Sequence, residues 1–129
     1  MLKSFLKLGA FLGALSVILG AFGAHALKQI LTEKGLATFE TGVRYQMYHA
    51  FAIILTGILY KEFSNKFLLS AGRLFFAGVL IFSGSLYFLS YTSSIGADSL
   101  KWIGAITPLG GVCFIAGWLL LAFGISKKN

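Results

Sequence analysis

The sequence predicts an all-α polytopic membrane protein: one domain over residues 1–129, folded as an antiparallel bundle of four transmembrane helices. Three observations point there. Hydrophobic residues make up 57% of the chain and charged ones only 12%, about half the charge of a soluble domain. The mean hydropathy is +0.85. Four apolar runs, at about 5–27, 43–60, 74–91 and 102–125, approach the roughly 20 residues that cross a bilayer as helix. Hydrocarbon offers no partner to an unpaired backbone group, so these runs are helices rather than open strands.

The first run, Phe5 to Leu27, is interrupted only by Lys7, whose stem can carry its charge back to the interface. Its beginning, "MLKSFLKLGAFLGALSVILGAFGAHA", imitates a cleavable signal peptide. The apolar stretch exceeds the usual 7–15 residues of a signal core, so it is expected to stay as a span. Leu8-Gly9-Ala10-Phe11 returns as Leu19-Gly20-Ala21-Phe22, eleven residues on, which puts Gly9 and Gly20 on one helix face. Gly13, Ser16 and Ala24 lie on or near it, and Gly23 is a further packing glycine of this run. Such a smooth strip lets helices approach closely in lipid.

The second run, Val43 to Tyr60, is expected to have a helical lead-in from about Leu36. Tyr45, His49, Ala52, Thr56 and Tyr60 share one face, while Phe51, Ile54, Leu55, Ile58 and Leu59 take the other. In the third run, Leu74 to Tyr91, Ser83, Tyr87, Ser90 and Tyr91 make a weaker polar stripe. The fourth, Trp102 to Ile125, carries Gly110, Gly117 and Gly124 at heptad spacing. Its Pro108 falls near the start, where proline costs little if the helix begins there. Tyr60, Tyr91 and Trp102 mark run ends, as interfacial aromatics do. Cys113, the single cysteine, sits in an apolar run as a packing residue and excludes any multi-cysteine metal site.

The net charge of +7 comes from basic residues scattered at the edges of apolar runs, with no basic helix of the kind that binds nucleic acid. Lys3, Lys7, Lys61, Lys66, Arg73, Lys127 and Lys128 fall on one side, seven against the four of Lys28, Lys34, Arg44 and Lys101. The positive-inside bias then places both termini in the cytoplasm.

Polar residues gather where the first run leaves the membrane and the second enters. His25 lies three residues before Lys28, and His49 five residues after Arg44, about 7.5 Å inside. With Glu40, Arg44, Tyr45 and Gln46 they form a candidate polar cluster in the outer leaflet. Glu40 and Arg44 have the i,i+4 spacing of a helical ion pair. His25 is expected to contact the second helix near Tyr45 or His49, since Gly20 and Gly23 leave room.

The stretches "LGAFGAHALK", "FETGVRYQMYHAFAIILTG" and "ITPLGGVCFIAGW" resemble the small membrane-protein family called domain of unknown function 423, itself similar to the eukaryotic transmembrane protein 256 group. The matching positions are Gly20, Gly23, His25, Thr41, Gly42, Arg44, Tyr45, Gln46, His49, Pro108, Gly110 and Gly111. The resemblance implies a four-span protein of the bacterial inner membrane and implies no activity.

No nucleophile–base–orienter set, metal-ligand array or phosphate loop is present, so neither an enzyme nor a cofactor is expected. A structural role, or the binding of membrane lipids or a partner (a second copy of the chain among them), leads the readings. One alternative is an oligomeric ion, proton or small-solute transporter using His25, Glu40, Arg44 and His49 as a relay. Another is a haem held between His25 and His49.

Overall fold

Backbone groups that cannot bond to lipid must bond within the chain, and in the computed structural model, which describes residues 1–127, they do so as helices joined by short turns. Helix α1 is Lys3–His25, α2 is Glu33–Leu59, α3 is Lys66–Ser94 and α4 is Thr107–Ser126. A 3-10 stretch, Asp98–Ala105, leads into α4, whose first turn holds Pro108. Lys128, counted above among the cytoplasmic charges, lies outside the described residues.

Two helices start before their apolar runs: α2 at Glu33, just ahead of the lead-in expected from about Leu36, and α3 at Lys66 rather than Leu74. Hydropathy reads the greasy part of a helix, whereas its beginning is set by the cap. Thr32 Oγ1 accepts from the Gly35 N–H at 3.0 Å. Asn65 Oδ1 accepts from Phe67 and Leu68, and its Nδ2 donates to Gly124 C=O at 2.9 Å, joining the start of α3 to the end of α4. Taken with their adjoining 3-10 turns, α1, α3 and α4 are long and apolar enough to cross a membrane. With 27 residues α2 has the length, but Arg44, Gln46 and His49 dilute its apolar character.

Successive helices run antiparallel and pack in chain order: α1 along α2, α2 on α3, α3 on α4. Glycines let each pair approach. Gly9, Gly13, Gly20 and Gly23 face Ile54, Met47, Val43 and Phe39 of α2. On α4, Gly110, Gly117 and Gly124 meet Phe82, Phe75 and Leu68, which themselves recur every seven residues on α3. Gly78 of α3 returns the fit by receiving the Phe114 ring. These seams hold the chain together rather than facing outward. Since α2 and α4 make no extended helix–helix contact, a lateral gap stays open between them, with α3 behind it.

Midway along α3, Val79–Ser83 forms a turn of π-helix. It presses the Phe82 backbone against Gly110 and aims Ser83 Oγ at Gly42 C=O, to which it donates at 2.7 Å.

Candidate functional site: a buried histidine in a lateral groove

The antiparallel register of α1 and α2 decides which polar residues meet. Gly20 faces Val43, Gly23 faces Phe39, and Gln46 Nε2 donates to Leu12 C=O at 3.0 Å. His25, beyond Gly23, therefore lies at the open end of the pair. His49 lies past the level of Leu12, thirteen residues along α1 from His25, or about 20 Å of helix rise. The expected contact of His25 with Tyr45 or His49 is absent, and one haem between the two histidines is geometrically excluded. The reading failed because it measured depth from Arg44: His49 sits about 24 Å from the helix start at Glu33 and about 15 Å from Leu59, deep in the fold.

The candidate cluster accordingly divides. His25, Glu40 and Arg44 are exposed, and the proposed Glu40–Arg44 pair does not form. Arg44 Nη2 donates instead to Thr41 Oγ1, at 3.2 Å. At an exposed site an ion pair gains little over hydration, so nothing compels it. Gln46 and His49 are buried, and Tyr45 lines the gap beside α4. The polar centre is thus within the fold, not a layer at one end, and the relay of His25, Glu40, Arg44 and His49 is not brought together.

Gln46 bridges three helices. Besides its bond to Leu12 on α1, its Oε1 accepts from Tyr87 Oη on α3 at 2.7 Å. Ser16 Oγ donates to the same Leu12 carbonyl at 2.8 Å. One turn further along α2, His49 lies among rings from every side. Phe114 stacks on it at 3.5 Å between centroids and 9° between planes, Phe75 tilts against it at 5.6 Å, and Trp118 meets it edge-on at 6.1 Å.

The partners of the imidazole assign its tautomer. Nδ1 lies 2.7 Å from Tyr45 C=O, which can only accept, so Nδ1 carries the hydrogen. Trp118 Nε1–H, which can only donate, reaches Nε2 at 3.2 Å, so Nε2 carries the lone pair. The ring is neutral and satisfied on both sides. With His25→Gln leaving His49 as the only histidine, NMR of isotope-labelled imidazole nitrogens in lipid nanodiscs should show a protonated Nδ1 and a bare Nε2. A protonated Nε2 contradicts the assignment.

His49 forms the floor of a groove of about 580 Å³ in the gap between α2 and α4, walled by Tyr45, Tyr48, Phe82, Gly111, Phe114, Ile115 and Trp118. The floor is 4% exposed, whereas Tyr48 and Trp118 at the sides are 54% and 44% exposed. A second, more polar recess of about 430 Å³ lies at the end of the bundle where α2 begins, between Lys34, Thr38, Ser90, Ser93, Asp98 and Lys101. Apart from Tyr45, the aromatic wall escaped sequence reasoning: Gly111, Phe114, Ile115 and Trp118 do share one face of α4, but nothing in the sequence says that this face meets Phe82 and His49. One signal was available: Trp118 sits in the middle of a run, away from the interface that Trp102 marks.

An all-helical fold of this apolarity, with glycine seams and a polar centre opening sideways between helices, defines a small membrane protein. A family model described as "Protein of unknown function (DUF423)" matches residues 19–111. The chain is 43% identical over 127 residues to the "UPF0382 membrane protein YwdK" of Bacillus subtilis, covering 98% of each. It is 44% identical over 126 residues to a UPF0382 membrane protein of Staphylococcus haemolyticus, again 98% of each. A UPF0382 membrane protein of Haemophilus influenzae is 39% identical over 129 residues, 100% of this chain and 98% of its own. No solved structure matches. The chain belongs to the DUF423 family of membrane proteins.

Proposed function

We propose that this protein crosses the bacterial inner membrane four times, with both termini in the cytoplasm, and binds an apolar molecule that enters the lateral groove from the lipid phase. It acts as a binding protein rather than an enzyme. Packing supports a fourth span beside the three: α2 lies along α1 on one side and α3 on the other, two helices apolar enough to cross. Orientation rests on the excess of Lys and Arg at the end where the chain begins and ends. The observation that carries the binding reading is a buried imidazole at the floor of a groove whose aromatic walls are exposed. Ionisable groups at membrane depth are costly and cluster at functional sites, as do π-turns such as the one that supplies Phe82.

The test uses Trp118 as the reporter. In a Trp102→Phe background it is the only tryptophan. Bromododecane added to nanodiscs should quench it saturably. Gly111 borders the groove, and a Cβ there meets nothing within 4 Å. Gly111→Leu should therefore fold normally and abolish the saturable phase. Quenching that rises linearly with bromododecane, unchanged by Gly111→Leu, means simple partition into lipid and defeats the reading.

A further inference from the structure

We infer that the groove selects a ligand carrying an aromatic hydroxyl, a phenol or hydroquinone-type ring, which donates its O–H to His49 Nε2 in place of the Trp118 indole. The inference rests on the binding reading above and adds the chemistry of the ligand's polar end.

The hydrogen-bonding sense of the floor is already determined. Because Nδ1–H is held by the Tyr45 carbonyl of its own helix, the neutral ring can offer a ligand only the lone pair of Nε2. A ligand that reaches this atom must donate. Carbonyls, esters, ethers and phosphates cannot bond there, whereas hydroxyls can. The present donor, the Trp118 N–H, holds its place at 3.2 Å, the long end of the range for such bonds. A phenol O–H is more acidic than an indole N–H and so is the better donor to this nitrogen. Trp118 itself stands at the edge of the groove, 44% exposed, so it can swing outward into lipid by giving up its edge contact with the buried Phe75 ring.

The walls favour a flat ring over an alkyl alcohol. Tyr45, Phe82 and Phe114 present aromatic surfaces around the same opening, with Tyr45 and Phe82 at 4.7 Å and Phe82 and Phe114 at 5.5 Å between centroids. Rings held at such spacings gain from offset and edge-to-face contact with a further ring beyond what area burial supplies. Gly111 leaves open the wall against which that ring would lie.

The experiment compares two probes that differ only in the donor: a meta-brominated para-dodecylphenol and its O-methyl ether, each titrated into nanodiscs holding the full chain with Trp102→Phe. Both are apolar and both quench Trp118 on binding. Because its O–H replaces the Trp118 N–H rather than adding a bond, the phenol is expected to reach half-quenching at about one-third the concentration of the ether, the margin of a stronger donor over a weaker one. In the His25→Gln chain the phenol should also shift the His49 Nε2 resonance while the ether leaves it in place. His49→Phe should bring the phenol to the ether's affinity, and the spectroscopic comparison decides if that variant does not fold. Equal half-quenching by the two probes, with no Nε2 shift and with both abolished by Gly111→Leu, overturns the inference and leaves the groove as a general apolar site. Absence of saturable quenching by either probe defeats both.

Discussion

Replacing Gly110 with alanine is expected to destabilise the protein by about 1–3 kcal/mol and to loosen α4 from α3. The added methyl has nowhere to go. It would meet the backbone nitrogen of Phe82 and lie 2.7 Å from its Cα, where an ordinary van der Waals contact begins near 3.4 Å. A flexible side chain can turn aside from such an approach, but these are main-chain atoms, and they belong to the π-turn that Ser83 ties to Gly42. The strain must appear as separation of the two helices, and in lipid nothing apolar drives them back together. Unfolding in mixed micelles measures the loss, with Gly111→Ala as the matched control. That neighbour has open space and should change stability by less than about 0.5 kcal/mol. Equal behaviour of the two variants would show that the α3–α4 seam does not depend on close approach at Gly110.

Gln46→Leu is expected to cost about 1–2 kcal/mol, through what it leaves behind more than what it removes. The side chain is 2% exposed and holds α1 through the Leu12 carbonyl and α3 through the Tyr87 hydroxyl. The Leu12 carbonyl keeps the Ser16 hydroxyl as a partner, whereas the Tyr87 O–H loses its acceptor. Adding Tyr87→Phe removes that orphan, so the double variant should be more stable than the two separate losses predict, by roughly 0.5–1.5 kcal/mol. Strict additivity in such a cycle would mean that the three-helix bridge carries no coupling energy. Hydrogen bonds between helices in lipid average well under 2 kcal/mol, so a larger coupling is not expected.

Much of the fold was legible because lipid imposes few solutions. Runs of apolar residues had to be helices, and the seven-residue spacing of Gly110, Gly117 and Gly124 needed no partner to be seen as a seam. Helix starts were less legible. The stretch from Glu33 to Gly42 is too polar for a hydropathy reading, yet it is helical, because Thr32 caps it and Phe39 packs under Gly23. The lead-in expected from about Leu36 was counted outside the membrane, and that carried through to the site. With α2 taken to enter at Val43, His49 looked shallow and close to His25; with the helix beginning at Glu33, the two part by about 20 Å.

What the sequence alone determined is whatever depends on one helix at a time: which segments are apolar helices and which faces are smooth. Local periodicity encodes these, since a residue's place on its own helix follows from its number. What only the tertiary structure decided is the company each polar residue keeps. Tyr87 meets Gln46 from 41 positions away, and Trp118 meets His49 from 69, through a register set by glycine contacts summed over whole helices. The same register left Glu40 and Arg44 facing outward and closed Phe114 over His49. An imidazole in isolation can donate or accept from either nitrogen; three-dimensional packing selected the donor it turns to its own helix and the acceptor it turns to the groove.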